Sequence, residues 1–460
     1  MMEFLKRNHI YIIGLTLSAF ASIYLNWNYP PQFDEAHAWN IAKYLSPIQI
    51  FDITKTEGHP FLWYYILMPF AKTDFMYPYS LYALNLILFL CAFFIFYRFA
   101  PFPDHLKYLI TLSAPFLQLY SNFARNYTLT ILFLFTILAL YKNRHRHQIL
   151  YLFCIILLAN THLLGLFMAI PLGLFLFYET VKNAKKGSLI PLLTVTNFGL
   201  LELSLLILQF YGYDTTTAVA TPTFNSLYSG LSKAFAPIPV AISCLLIFSA
   251  LYLQIKQKSY ASALFLTICC GLQLYLYIFI YQGSIQQHHF FYISLIASYW
   301  LSLEEKAHNT PKFYLLPLTL MSFALIFNPY SSYKTKYLQT YQNNLKESAF
   351  ALNNLYKKHP AEVILFEQFD ANIIRPYLND NITLLNQQMT DFTDLKSFKD
   401  FLIWFHTPIN PQDIAVYIRK HPQTPLLRAC GETNYYNTNL TFTLKHHLNR
   451  TYCLYEIKLN

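Results

Sequence analysis

Ionisable side chains are concentrated in one short stretch of an otherwise apolar chain, FDEAHAWNIAKYLSPIQIFDITKTEGHP at residues 33–60. Of the twelve Asp and Glu residues that precede residue 331, four lie in this stretch: Asp34, Glu35, Asp52 and Glu57. His37 and His59 belong to it as well. Such an uneven distribution argues against random placement on a solvated surface, so the stretch is a candidate site.

Acid–base chemistry is one role open to Asp34 and Glu35. A positioned carboxylate can remove a proton from a hydroxyl group, and His37, three residues after Asp34, shares its face of a helix. The structural alternative makes Asp34 the N-cap of a helix after Pro30-Pro31 and puts Glu35 in the first turn, which local helix energetics favour. The sequence is compatible with both interpretations.

Arg and His side chains recur at the ends of apolar runs further along: Arg125 in SNFARNYTL, His162 in NTHLLG, and His288 and His289 in QQHHFFYI. Cationic groups at the depth of lipid headgroups are what a lipid-linked phosphate needs. For Arg125 the alternative is a structural ion pair with a carboxylate, because Arg near an apolar core is costly unless it is paired.

A divalent metal ion is a further possibility for this set. Its ligands would be Glu57, His59, His162 and one of His288 and His289. Two adjacent His residues on a helix diverge by about 100°, so both could hardly bind the same ion. The sequence has no Cys spacing typical of structural zinc and no Gly-rich phosphate loop, and it contains only 11 Gly.

The composition is typical of a membrane protein. Only 12% of the 460 residues are charged and 55% are hydrophobic, whereas about 25% are charged in an ordinary soluble domain. The net charge of +10 comes largely from Lys and Arg clusters between apolar runs, which is the pattern that membrane topology produces. We therefore expect a lipid bilayer as partner, and no nucleic acid.

The apolar runs predict a polytopic α-helical protein with about eleven membrane crossings. Each run is about long enough to cross a hydrocarbon core of about 30 Å. The predicted crossings are 9–27, 79–98, 106–122, 127–141, 148–163, 164–180, 188–211, 234–254, 259–281, 288–303 and 313–328. The first is expected to be an uncleaved crossing and not a secretory signal peptide.

The apolar segment 60–71 is too short for a comfortable crossing. If it is an interfacial or re-entrant helix, all the Lys and Arg clusters from Lys6 and Arg7 onwards fall on the cytoplasmic side. The loop 28–78 is then extracytoplasmic, and it is the expected catalytic loop of a transmembrane domain at 1–330.

Residues 331–460 predict a soluble α/β domain, because they hold eleven of the 23 acids and their apolar residues come in short groups. An odd number of crossings places this domain outside the cytoplasm. Cys430 and Cys453 are its two cysteines. An oxidising compartment would permit a disulfide between them, but the sequence does not show whether their Cα atoms come within range.

Four motifs in this order, FDEAHAW, EGHPFLWYY, ARNYTL and THLLG, resemble those of the GT-C membrane glycosyltransferases. The branch concerned is related to protein O-mannosyltransferases and to the aminoarabinose transferase of lipid A. The resemblance covers roughly residues 1–330, and the position of the extracytoplasmic C-terminal domain is similar too. Gln286-Gln287-His288-His289 stands where many relatives carry an Arg, so phosphate binding there is in doubt.

The resemblance implies an inverting enzyme that transfers a sugar from a polyprenyl-phosphate carrier to a hydroxyl acceptor of the cell envelope, on the outer face of a bacterial inner membrane. Asp34 would be the general base and Glu35 would complete the acidic pair. The substrate-binding residues would be His37, Glu57, His59, Arg125, Tyr127, His162 and His288, with His59 and Arg125 on the carrier phosphate.

A transporter or flippase is the alternative function. Such a protein should carry ionisable residues near the bilayer midplane. Most acids before residue 331 lie elsewhere, but Glu202 in LLELSLLIL fits that pattern.

Overall fold

The computed structural model is mostly helical, with a small sheet near the C-terminus. It describes residues 2–27, 30–57, 59–184, 189–210, 223–305, 311, 313–330, 336–357, 359–365, 368–385, 423–431 and 440–459. The described α-helices are α1 (Met2–Trp27), α2 (Phe33–Tyr44), α3 (Pro47–Glu57), α4 (Leu62–Ala71), α5 (Tyr79–Phe99), α6 (Asp104–Leu112), α7 (Asn126–Leu140), α8 (Gln148–Ala159), α9 (Leu163–Ala184), α10 (Ile190–Phe210), α11 (Phe224–Phe235), α12 (Val240–Lys256), α13 (Tyr260–Tyr275), α14 (Ile285–His288), α15 (Phe290–Glu305), α16 (Leu316–Leu325), α17 (Lys336–Leu355) and α18 (Gln368–Ile374).

The chain divides into two compact units. The first comprises residues 1–26, 54–63 and 81–333, and the second comprises 27–53, 64–80 and 334–460.

The first unit has an aromatic core built around α15. Every residue of this helix from Phe290 to Leu303 is buried, as expected of a helix in the middle of a bundle. The rings of Phe96, Phe135 and Trp300 pack against one another with centroids 5.2–5.9 Å apart. Such contacts stabilise a bundle beyond the burial of area alone.

Four helices of the described residues are long and apolar enough to cross a membrane: 79–99, 163–183, 190–209 and 260–280. A fifth crossing is formed if α11 and α12, which meet at a 76° bend, count as one. This finding is consistent with a membrane protein, but the number of eleven is not confirmed. The reason is length, since α8 has 12 residues and α16 has 10.

The helix predicted within 60–71 is α4. Its 10 residues include Pro69, and a crossing needs about 20.

The second unit contains a five-stranded mixed sheet in the order β2-β1-β3-β5-β4. The strands are β1 (Ala361–Ile364), β2 (Ile382–Leu385), β3 (Leu426–Ala429), β4 (Leu440–His447) and β5 (Tyr452–Leu459). β1 is parallel to β2 and β3, and β5 is antiparallel to β3 and β4. Two segments whose patterns indicate a helix and a strand, SFKDFLIWF and IAVYIR, lie outside the described residues.

In the second unit, one helix indicated by the sequence is confirmed, and a disulfide that the sequence left open is present. Apolar residues recur at a helical spacing in SYKTKYLQTYQNNLKESAFALNNLYKKHP, which predicts a helix. Three of them, Leu345, Ala349 and Leu352, are buried in α17. Cys430 and Cys453 form a disulfide with their Cα atoms 5.0 Å apart, and this bond joins the end of β3 to β5.

Candidate functional site

In the first unit, three of the predicted site residues, His59, Arg125 and Tyr127, surround His162. The centroid of its ring lies 4.6 Å from that of His59 and 5.0 Å from that of Tyr127. The backbone N–H of Leu164 donates to His162 Nδ1 at 2.9 Å. Nε2 must therefore carry the proton of the neutral ring, and this buried atom has no hydrogen-bond partner among the described residues.

Arg125 belongs to the same group. It directly precedes α7 and is 5% exposed. It lies near enough to His162 for the two side chains to interact electrostatically. A guanidinium so deeply buried is costly to keep unless negative charge or hydrogen bonding compensates it.

Aromatic side chains that the sequence analysis did not single out form the walls of this group. Tyr127 lies 6.0 Å from Tyr120, 5.9 Å from Phe123 and 5.9 Å from Phe290 between ring centroids. The Phe290 ring also stacks on His162 at 6.2 Å. The result is a cationic and imidazole-rich group enclosed by π faces, and we refer to Arg125, Tyr127, His162, His59 and Phe290 as the histidine cluster.

The turn between α8 and α9 holds the histidine cluster in place. Asn126 Nδ2 donates to the carbonyl of Thr161 at 2.9 Å, and Thr130 Oγ1 donates to Thr161 Oγ1 at 2.8 Å. Leu62 N–H donates to the carbonyl of Asn160 at 3.3 Å. These bonds tie the chain near His59 to the turn that carries His162.

Asn160 also connects this turn to α10. Its Nδ2 donates to the carboxylate of Glu202 at 2.9 and 3.1 Å, and its Oδ1 accepts from Gln209 Nε2 at 2.8 Å. Glu202 is thus a hydrogen-bonded partner of the turn and not an isolated charge. Asn160 stands in LLANTHLLG two residues before His162, and a polar side chain at the end of an apolar run was the signal that could have identified it.

His288 occupies a separate cradle in the first unit. Its Nδ1 lies 2.7 Å from the carbonyl oxygen of Ser284 and its ring lies 4.5 Å from that of Tyr277. A Cβ atom on Gly230 would come within 2.5 Å of the ring, and one on Gly283 within 2.8 Å. His289 is buried as well. The link to the histidine cluster runs through Tyr120, whose hydroxyl donates to the carbonyl of Gln286 at 2.6 Å.

In the second unit, Asp34 and Glu35 both lie in the first turn of α2. The alternative in which Asp34 is the N-cap of this helix is not what the structure shows. The N-cap is Gln32, not Asp34. The backbone N–H of Gln32 donates to Glu35 Oε2 at 2.8 Å, which is one half of a capping box. The N-cap interpretation of Asp34 is therefore wrong, and Glu35, which is fully buried, serves the cap.

His37 faces α18 from α2. Its Nδ1 lies 3.2 Å from Asn372 Oδ1, and Asn40 Nδ2 donates to the Asn372 carbonyl at 3.1 Å. The ring of His37 stacks on Phe33 at 5.5 Å. His37 and Asp34 are on one side of α2, as predicted from their spacing, but His37 has a structural partner within its own unit.

Buried phenols lie around Glu35. Burial raises the pKa of Tyr77 well above its usual range, and the neighbouring Tyr377 and the Glu35 carboxylate add to this effect. Burial also raises the pKa of Tyr377, and the Glu35 carboxylate and Tyr79 add to this effect. Both phenols are therefore neutral at physiological pH.

No three of the predicted metal ligands come together among the described residues, and the side chain of Glu57 lies outside them. The three potential ligands that do meet are Cys430, His447 and Cys453. Because the two sulfurs form the disulfide, neither is available as a thiolate.

Comparison with protein-family models and with curated proteins gives no match for this chain.

Proposed function

We propose that this protein is a glycosyltransferase of the GT-C type that uses a polyprenyl-phosphate sugar as donor. The observation that carries the proposal is the histidine cluster: a buried guanidinium and two imidazoles with aromatic walls, in a chain with helices suited to a membrane. A phosphate ester with a hydrocarbon tail is the kind of ligand that needs both features.

In the proposed reaction the acceptor hydroxyl attacks the anomeric carbon of the sugar. The new bond joins the acceptor oxygen to that carbon, and the bond from the anomeric carbon to the carrier phosphate oxygen breaks. The bonding electrons leave with the polyprenyl phosphate, and attack from the opposite face inverts the anomeric configuration. The hydroxyl proton passes to a general base.

Asp34 is our candidate for that base. It is part-exposed in the first turn of α2 and does not cap the helix, whereas Glu35 has an oxygen committed to the Gln32 amide. We assign Glu35 a positioning role through the turn.

Arg125 is our candidate for stabilising the leaving phosphate. Its positive charge would compensate the negative charge that develops on the carrier as the glycosidic bond breaks. His59 and His162 would donate hydrogen bonds, and Tyr127 would pack against the sugar. We keep His288 and Glu57 as candidates for substrate binding, and Glu57, His59, His162 and His289 as candidate ligands of a metal ion.

We further propose about eleven crossings for residues 1–330, the loop 28–78 outside, and the domain at 331–460 on the same side, in a bacterial inner membrane. The disulfide supports this orientation, because such bonds persist in oxidising compartments. The alternative function, a transporter or flippase, retains one supporting feature in Glu202 on a lipid-facing helix.

The test is sugar transfer by the purified full chain in detergent, with a panel of radiolabelled polyprenyl-phosphate sugars and cell-envelope extract as acceptor. We expect carrier-dependent labelling that falls at least about 100-fold in Asp34→Asn, the lower end of the loss for a general base. Asp52→Asn, which changes an exposed carboxylate of the same stretch, is the matched control and should keep full activity.

Arg125→Gln supplies the second arm. We expect a loss of about 30-fold or more, because removing a buried charge from its partner costs about 2–5 kcal/mol. Equal transfer by Asp34→Asn and wild type would refute the base assignment. Absence of transfer from every donor in the panel would count against the transferase and favour transport.

A further inference from the structure

A groove of about 600 Å³ opens at one end of α8 and α10, away from the histidine cluster. Its volume is within the range of about 300–1,000 Å³ typical of small-molecule sites. The first residues of both helices line it. Two of these lining residues are joined, because Gln148 Nε2 donates to the carbonyl of Pro191 at 3.1 Å.

The groove has a cationic end and an apolar end. Arg146 and His147 form the first, and both side chains are exposed. Ile149, Phe153 and Ile190 form the second and are 66%, 51% and 71% exposed. This division matches a molecule with a charged head and a hydrocarbon tail.

The chain between residues 142 and 189, which precedes and includes much of the groove lining, has a positive net charge. Residues 142–189 contain six Lys and Arg but only one acid, Glu179. Glu179 is already engaged, since Arg144 donates to both of its oxygens at 2.8 and 2.6 Å and His145 Nε2 lies 3.2 Å from it. Arg146 forms no ion pair with any residue that the structure describes.

The apolar end of the groove lies on α10, a helix whose surface faces lipid. Only 6% of the most apolar stretch of α10 is buried within the protein. This surface is therefore covered by hydrocarbon when the helix crosses a membrane. A ligand that reaches the groove from the bilayer would keep its chain against Phe153 and Ile190 and present its head to Arg146. Basic residues at a bilayer surface attract anionic lipids.

We propose that this groove binds an anionic glycerophospholipid, with the phosphate at Arg146 and His147 and one acyl chain along Ile149, Phe153 and Ile190. The proposal requires only that the apolar helices cross a membrane, and it does not depend on the glycosyltransferase assignment. The bound lipid would anchor the loop between α7 and α8 at the membrane surface.

The test is native mass spectrometry of the full chain released from detergent after titration with dioleoyl phosphatidylglycerol or dioleoyl phosphatidylcholine. We expect preferential retention of phosphatidylglycerol by wild type. Arg146→Gln should weaken the apparent affinity about fivefold, the factor expected for one basic residue at a membrane surface. Phe153→Asn should weaken the retention of both lipids.

Arg98→Gln is the matched control, because Arg98 is an exposed cation at the predicted cytoplasmic end of α5 but does not line the groove. Its phosphatidylglycerol retention should equal that of wild type. Equal retention of the two lipids, no effect of Arg146→Gln, or an equal effect of Arg98→Gln would overturn the proposal. Displacement of phosphatidylglycerol by millimolar inorganic phosphate would identify a free-phosphate site instead.

Discussion

At the scale of single residues, the predicted site residue His288 is closely packed against two glycines, Gly230 and Gly283. The ring cannot swing away from Gly230, because Nδ1 is held at Ser284 and Tyr277 packs against the ring. A methyl group on Gly230 would lie 2.5 Å from Cε1, far below van der Waals contact. The two glycines therefore determine whether His288 can occupy its position.

We predict that Gly230→Ala lowers the free energy of unfolding by about 1–3 kcal/mol, the usual cost of overpacking a buried position. Thermal unfolding of the purified protein in detergent measures this change. Gly271→Ala is the matched control on another helix, since a Cβ atom there meets nothing within 4 Å. It should be neutral or stabilise by about 0.5–1 kcal/mol.

A double-mutant cycle tests the cause of the loss. In the His288→Ala background the imidazole is absent. Gly230→Ala should then lower the free energy of unfolding no more than Gly271→Ala does. If Gly230→Ala is equally harmful with and without the ring, the cradle does not act through His288. If it is harmless in wild type, the packing described for this site is incorrect.

Sequence reasoning singled out several residues of the histidine cluster but not their surroundings. The cation at Arg125 and the imidazoles at His59 and His162 were visible because ionisable groups are rare in this chain. Their common position around one turn depends on hydrogen bonds from Asn126 and Asn160. Residue spacing does not predict such contacts between distant segments. The aromatic residues of the walls could not be distinguished by sequence from the other members of the 38 Tyr and 41 Phe.

At the scale of elements, the disulfide joins two strands of the C-terminal sheet. Sequence reasoning could identify Cys430 and Cys453 as the two candidates but not whether they are bonded. Disulfide formation depends on the distance between their Cα atoms, which strand pairing determines. The pairing of β3 with β5 brings Arg428 opposite Cys453, so Cys430 lies just beyond the strand end. Elements with strong patterns, such as α17, were predictable, whereas the position of the α2 cap at Gln32 was not.

We predict that the purified protein, denatured without reductant, contains five reactive thiols, and that the number rises to seven after reduction. Titration with a maleimide and intact mass measurement gives both numbers. Cys430→Ser should raise the unreduced number by freeing Cys453, whereas Cys244→Ser, at an exposed free cysteine, should lower it by one. Seven thiols without reductant would show that the bond does not form in the mature protein.

At the scale of the whole molecule, helix length and hydropathy give different numbers of membrane crossings. The described residues provide four or five helices of sufficient length, whereas hydropathy predicted about eleven. The two numbers differ because hydropathy measures only apolar content, while helices such as α7 and α8 are interrupted before they reach the thickness of a bilayer. Charge distribution is independent of helix length, so orientation can be tested separately.

We predict that the C-terminus is extracytoplasmic and that the loop between α7 and α8 is cytoplasmic. Alkaline phosphatase, which is active only after export, should be active when fused after Asn460 and inactive when fused after Arg146. Green fluorescent protein at the same two positions should give the opposite pattern. The physical reason is the positive-inside rule, since residues 142–146 contain three basic residues and no acid. Active phosphatase after Arg146 would show that the true topology is the reverse of the predicted one. The groove, and not the α2 segment, would then be on the outer face.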